Sequence, residues 1–297
     1  MRKISSGIYG LNPILDGGIN VNSTTVVIGA SGAGKTTFAT QYLRRGLEDG
    51  QEGIFVSLDE NKEQIIREAV EMGWPEILDY LKDELLVFID ASGKDFSEFI
   101  QKELPGFVEE WKGANSRIVV DPLTPVMWAI NERYQQRDVI GFMLKETRRV
   151  GTVLCTLEEH NTLGSLSGPE TVIPMYLADN VIHLRFVAAG SGVSRTVKIV
   201  KARSTRHSEV EHPYSILKGL GVVVKSGEVK EEITTQIPST LKDELRPYAG
   251  RIPTSVYRRL HKALNELEDA DFENLSVDEV LKYILMEYPP KKGDDKQ

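Results

Sequence analysis

Residues 24–37 constrain the fold more tightly than any other stretch of this chain. Strand-forming Thr24-Thr25-Val26-Val27-Ile28 runs into Gly29-Ala30-Ser31-Gly32-Ala33-Gly34-Lys35-Thr36-Thr37, and a helical pattern continues over 35–47. Strand, glycine turn and helix in that order form the opening leg of a parallel α/β unit. Gly29, Gly32 and Gly34 let the backbone curl until successive N–H groups point inward at a polyphosphate. The helix N-terminus adds its positive end at the same spot. The spacing G-x-x-x-x-G-K-T is that of a Walker A loop, in which Lys35 reaches the β- and γ-phosphates and the Thr36 hydroxyl ligates Mg²⁺. Gly29, Ala30, Ser31, Gly32, Ala33, Gly34, Lys35, Thr36 and Thr37 are therefore read as an ATP cradle. Glycine-rich turns before helices are common, but this spacing in this setting is specific.

The strand pattern recurs at 53–58, 85–90, 117–121 and 152–156, with helical patterns near 35–47, 61–72, 96–112 and 137–149 between. Such alternation marks a wound, mostly parallel sheet. Gly50, Gly73, Gly113 and Gly151 stand where helix C-caps commonly do. Beyond residue 180 the texture shifts to strands at 180–184, 194–202, 214–217 and 222–224, the last two separated by Lys-Gly-Leu-Gly, so antiparallel edge strands are expected. The boundaries read as a core over 1–227, a helical extension over 228–288 and a charged, disordered tail over 289–297. At 297 residues the chain can bury a real core. Its net charge of −8 argues against broad nucleic-acid or anionic-membrane binding. Cys155 is the single cysteine and sits in an apolar strand, which excludes a disulfide within the chain. Without a signal-like or membrane-spanning run, the reading is soluble and cytoplasmic.

Two acidic positions fall at strand ends. Asp121 closes Ile118-Val119-Val120 as a Walker B carboxylate would, holding Mg²⁺ together with Thr36. Asp59-Glu60 follows Ile54-Phe55-Val56-Ser57-Leu58, where a carboxylate could activate water. Either residue of that pair could be the catalytic one; the pair also reads as an N-cap for the helix at 61–72, since Asp is a favoured cap residue, and both roles can hold at once. Downstream, Lys201-Ala202-Arg203 puts two cations on one face of a strand end. They suit a role like an arginine finger, or a solvated edge strand carrying protective charge.

These segments resemble KaiC-like ATPases of the RecA superfamily over about residues 4–225. The likeness rests on Ser6-Gly7-Ile8-Tyr9-Gly10-Leu11, Leu15-Asp16-Gly17-Gly18-Ile19, the Walker A loop, Phe55–Glu60, Ile118–Asp121, Asp179-Asn180-Val181-Ile182 and Lys201-Ala202-Arg203-Ser204-Thr205-Arg206-His207. The resemblance implies a RecA-like core with ATP between subunits, usually in a hexameric ring, and Lys201 and Arg203 reaching the γ-phosphate of the next subunit. Two departures stand out. Family members carry Glu-Glu where this chain has Asp59-Glu60, which implies slow turnover. The stretch Met175-Tyr176-Leu177 lacks the Ser-Thr pair that clock KaiC phosphorylates, so autophosphorylation is not expected.

The sequence thus favours a slow, ring-forming, Mg²⁺-dependent ATPase with nucleotide-dependent partner binding. One alternative is a DNA-binding recombinase or translocase using loops at 128–137 and 157–178. The first carries Arg133, Tyr134 and Arg137, but the second has no Lys or Arg and includes Glu158, Glu159 and Glu170. Another alternative is an ATP-gated scaffold with little hydrolysis. The extension at 228–288 is the expected site for a protein partner.

Overall fold

The computed structural model describes residues 2–91, 99–111, 114–159, 166, 168–189 and 192–225; the helical extension and tail expected at 228–297 lie outside the described residues. A short antiparallel pair, β1 (Lys3–Ile4) and β2 (Ile19–Asn20), flanks helix α1 (Leu11–Ile14). The core then runs β3 (Thr24–Gly29), α2 (Lys35–Glu48), β4 (Gly53–Ser57), α3 (Lys62–Glu71), α4 (Ile77–Lys82) and β5 (Leu86–Asp90). A π-helical turn at Phe99–Glu103 leads into α5 (Leu104–Trp111), followed by β6 (Ser116–Asp121), α6 (Thr124–Ala129), α7 (Arg133–Thr147), β7 (Gly151–Glu158) and α8 (Pro169–Leu177). Four strands end the described chain: β8 (Asn180–Ala189), β9 (Gly192–Ala202), β10 (Glu211–Leu217) and β11 (Gly221–Val224).

Among the described residues, nine strands form one sheet in the order β11-β10-β9-β8-β3-β7-β6-β4-β5. From β8 to β5 every neighbour pair is parallel; from β8 to β11 every pair is antiparallel. This is the α/β architecture expected from the sequence, with the antiparallel strands added beyond β8. β3 lies between β7 and β8, so the chain leaves the sheet centre and later returns to both its sides. The C-terminal ends of β3, β4, β6 and β7 consequently meet in one crevice, where parallel sheets bind ligands.

Both faces of the central strands are buried. Val27, Phe55, Val119 and Leu154 pack with Phe38, Tyr42 and Leu43 of α2 and with Trp74. Val26, Ile54, Val120 and Val153 pack on the other face with Val108, Met127, Ile140 and Met143. Helices on both sides explain why these strands read as continuous apolar runs. Cys155 is fully buried in the second layer, and burial pushes its thiol up, so it is an inert core residue.

Several expectations need correction. Gly50 and Gly73 follow α2 and α3 at φ +77 and +95, as caps do, but Gly151 opens β7 and serves packing. A Cβ there would lie 1.8 Å from the Ser116 carbonyl oxygen. Gly151→Ala is therefore expected to destabilise the fold by roughly 2–3 kcal/mol, read from the urea midpoint. The span 128–137 is not a loop: Trp128 and Ala129 end α6, and α7 begins at Arg133 rather than 137. The Gln136 amide donates to Met127 O at 2.8 Å and Ile130 O at 2.6 Å, pinning the turn between them. Arg137 lies over the Tyr176 ring at 5.1 Å, engaged within the chain. Of 157–178, Leu157 and Glu158 end β7 and 169–177 is helical. Finally, β9 is not an edge strand, because β10 and β11 lie outside it.

Candidate nucleotide site

The glycine loop connects β3 to α2 at the C-terminal edge of the parallel sheet. Gly32 and Gly34 adopt φ +76 and +89, a region that costs other residues strain. Gly34 is needed for space as well, since a Cβ would lie 2.5 Å from Ile216 Cδ1 of β10. The Tyr214 hydroxyl donates to Ala33 O at 2.7 Å, so the antiparallel strands brace the loop.

Lys35 opens α2 and is nearly buried. Its ammonium donates to Ala30 O at 3.1 Å and lies 3.8 Å from Glu158 Oε1. Burial lowers its pKa, while Glu158, Asp121 and Glu159 oppose that shift. Asp121 is buried at the end of β6, accepting a hydrogen bond from the Thr156 hydroxyl, with the Thr36 hydroxyl placed to favour its ionised form. Burial raises its pKa; the two hydroxyls and Lys35 pull the other way.

At the end of β4 the structure separates Asp59 from Glu60. The Ser57 hydroxyl donates to Glu60 O, and Leu58 N–H donates to Asp121 O at 2.9 Å, fixing the turn after the strand. Asp59 is exposed, whereas Glu60 is half-buried and its Oε2 has no hydrogen-bond partner among the described residues. Burial raises the Glu60 pKa, with Glu68, Asp121, Asp59 and Glu158 adding to it. Neither residue caps α3. That work belongs to Asn61, whose Oδ1 accepts from Gln64 N at 2.9 Å. Glu60 thus shares an electrostatic neighbourhood with Asp121.

Lys201 and Arg203 are elsewhere. Lys201 pairs with Val181 at the start of β8, and Asp179 beside it accepts a hydrogen bond from Thr24 N–H, where β3 begins. The six residues of β3 separate that edge from the glycine loop, roughly 17 Å at the usual rise of a strand. The Lys201 ammonium donates to Met175 O, Tyr176 O and Ala178 O at 2.9, 3.1 and 2.6 Å. Arg203 Nη2 donates to Tyr176 O at 3.2 Å. Both cations therefore meet the negative end of α8, and each is remote from the chain's own Lys35.

Sequence reasoning missed Thr156, Glu158 as a site residue, the buried pair Glu159–His183, and a cavity of about 440 Å³ beside the loop. That cavity is lined by Thr37, Thr40, Glu71, Met72, Ile216 and Lys218 among others. Its walls come from α2, the end of α3 and the β10–β11 hairpin, which only the fold brings together.

With this geometry in view, a sequence model describing the ATPase KaiC matches residues 4–229. The chain belongs to the KaiC family of ATPases. Among curated KaiC relatives, the circadian clock protein KaiC3 of Synechocystis sp. is 28% identical over 236 residues, covering 75% of this chain and 46% of that protein. The circadian clock oscillator protein KaiC of Thermosynechococcus vestitus is 31% identical over 242 residues, covering 75% and 44%. The chain thus spans less than half the length of these relatives. A KaiC-like protein from Pyrococcus horikoshii, whose crystal structure is known, is 30% identical with a TM-score of 0.65, over 76% of this chain and 99% of that one. ATP binding follows from the KaiC family, and the fold is of the RecA type. Among the described residues no helix is long and apolar enough to cross a membrane.

Proposed function

We propose that this chain is a Mg²⁺-dependent ATPase assembling into a ring, with each nucleotide held between two subunits. The observation that carries the reading is the position of Lys201 and Arg203 at the sheet edge opposite the chain's own glycine loop. A second copy would therefore have to present them to the phosphates, head to tail, an arrangement that closes into rings. Within one subunit, residues 29–37 cradle the phosphates and Lys35 neutralises them. The cavity beside α2 takes the nucleoside. Thr36 and Asp121 would hold Mg²⁺, whose hard charge suits a hydroxyl and a carboxylate oxygen and which, when bound, neutralises phosphate oxygens. The influence of the Thr36 hydroxyl on the Asp121 carboxyl fits this role.

Glu60 is the better candidate for orienting and deprotonating the attacking water. Its partly buried carboxylate keeps one oxygen unpartnered, and it belongs to the same carboxylate group as Asp121 and Glu158. Glu60→Gln is expected to lower kcat about a hundredfold, while Asp59→Asn changes it less than about threefold. Steady-state phosphate release from the two variants checks this, and equal loss from both would remove the distinction. A base works only when ionised, so turnover falls as pH drops through the Glu60 pKa. Because that pKa is raised, the acidic limb of the kcat profile should lie above the ordinary carboxylate range, and its position can be read directly. The ring itself is tested by solution mass with ADP and with a non-hydrolysable ATP analogue. A monomer in both would end the intersubunit reading. Residues 1–227 would form the ATPase unit, with 228–288 available for a protein partner.

A further inference from the structure

Directly beside the glycine loop is a buried acid–imidazole pair that phosphate binding and hydrolysis, as laid out above, do not use. Glu159 Oε2 and His183 Nε2 lie 2.8 Å apart, with both side chains almost wholly buried. Glu159 follows the last residue of β7, and His183 pairs in register with Ile28 of β3. Glu159 N–H also donates to Gly29 O at 3.0 Å, at the first residue of the cradle. The residue is thus tied to β3 through its backbone and to β8 through its side chain. Its other carboxylate oxygen, Oε1, is buried without a hydrogen-bond partner among the described residues.

The neighbour this arrangement controls is Glu158. Glu158 N–H donates to the Thr124 hydroxyl at 2.9 Å on one side, and Glu159 is anchored on the other. Between these two ties the Glu158 side chain, a third exposed, faces the Lys35 ammonium at 3.8 Å. Lys35 in turn stands along the loop, donating to Ala30 O. We propose that Glu159 and His183 are a positioning pair: they fix the end of β7 so that Glu158 holds the Lys35 ammonium in place along the glycine loop, where a phosphate would meet it. Neither residue touches the nucleotide in this scheme. They act through Glu158, and the benefit is a cation already in place when the polyphosphate arrives. A buried acid with one oxygen unpaired is a costly device for fixing a strand end alone, since an apolar pair would fill the same space.

The proposal rests on residues 29–37 binding a nucleotide, not on hydrolysis or ring formation. Its test is accordingly a binding titration of the full chain with ADP in the presence of EDTA, with adenosine as the phosphate-free control. His183→Leu removes the imidazole and should weaken ADP about five- to tenfold by loss of preorganisation, with adenosine affinity unchanged. His183→Gln, which restores an N–H donor, should return ADP affinity to within about twofold. In a Glu158→Gln background, His183→Leu should add nothing, because the residue it acts through is gone. Should His183→Leu fail to fold, His183→Met carries the same expectations, because it too removes the imidazole and leaves the Glu159 charge that acts on Lys35 in place. ADP and adenosine weakening together would mean a structural role only and would overturn the proposal. Additive losses in the double variant, or an unchanged ADP affinity in His183→Leu, would overturn it as well. Wild-type chain that binds ADP but does not hydrolyse ATP would fail the ATPase reading and leave this test intact. Wild-type chain that binds neither ligand would end both.

Discussion

Arg203→Ala is expected to cut ATP turnover about a thousandfold, the effect typical of losing an arginine that stabilises charge on a transferring phosphoryl group. Binding of ATP should change little, because the glycine loop, Lys35 and Thr36 are untouched and lie at the opposite edge of the sheet. The substitution is also mild for the fold. Arg203 is half exposed and makes one hydrogen bond to Tyr176 O and a 3.9 Å contact with Asp179, and a surface contact of that kind contributes little to stability. A mixing experiment isolates the intersubunit part. Arg203→Ala subunits keep an intact loop, and Lys35→Ala subunits keep an intact Arg203. Each is inactive alone, but an equal mixture should recover about a quarter of wild-type turnover if the ring interface is head to tail and assorts at random. Recovery of nothing would mean that Arg203 serves its own subunit or none.

Lys35→Ala should abolish turnover by a different route, through loss of the nucleotide itself. Glu158, Asp121 and Glu159 all act on Lys35, and removing its charge leaves those carboxylates facing an incoming polyphosphate. ATP affinity is expected to fall at least about a hundredfold, roughly 2.8 kcal/mol, as charge-assisted hydrogen bonds in a dry pocket are lost. Calorimetric titration measures this directly. Retention of affinity within about threefold would mean that the loop amides alone carry the phosphates. The two variants therefore separate two steps: one binds and does not turn over, the other does not bind.

Much of this site can be read along the chain, because its parts are local. The cradle is one contiguous stretch, and Asp121 ends a run whose apolar character comes from helices packed on both faces. The β10–β11 hairpin announces itself through Lys218-Gly219-Leu220-Gly221. What could not be read depends on which strands become neighbours. Glu158, Glu159 and His183 approach the loop only because β3 lies between β7 and β8, and no spacing within either segment signals that order. The choice between Asp59 and Glu60 turns on the Ser57–Glu60 bond and on Asn61 taking the helix cap, contacts a residue or two beyond the motif. Helices α6 and α8 escaped notice because α6 is only six residues long, too short to show a period, and α8 carries Pro174 in its interior, where proline interrupts the helical pattern. The carbonyls met by Lys201 and Arg203 belong to one of those helices, so their resting place was hidden too.

The brace on the glycine loop bears on how short a working version of this protein can be. Tyr214 bonds to Ala33 across a sequence separation of 181, and Ile216 occupies the volume that Gly34 leaves free. A fragment trimmed to the first five core strands would still spell out the full nucleotide motif, yet its most important curve would have lost the wall it leans on. The smallest autonomous unit must reach past the β10–β11 hairpin, and the motif alone is a poor guide to where the chain can be cut.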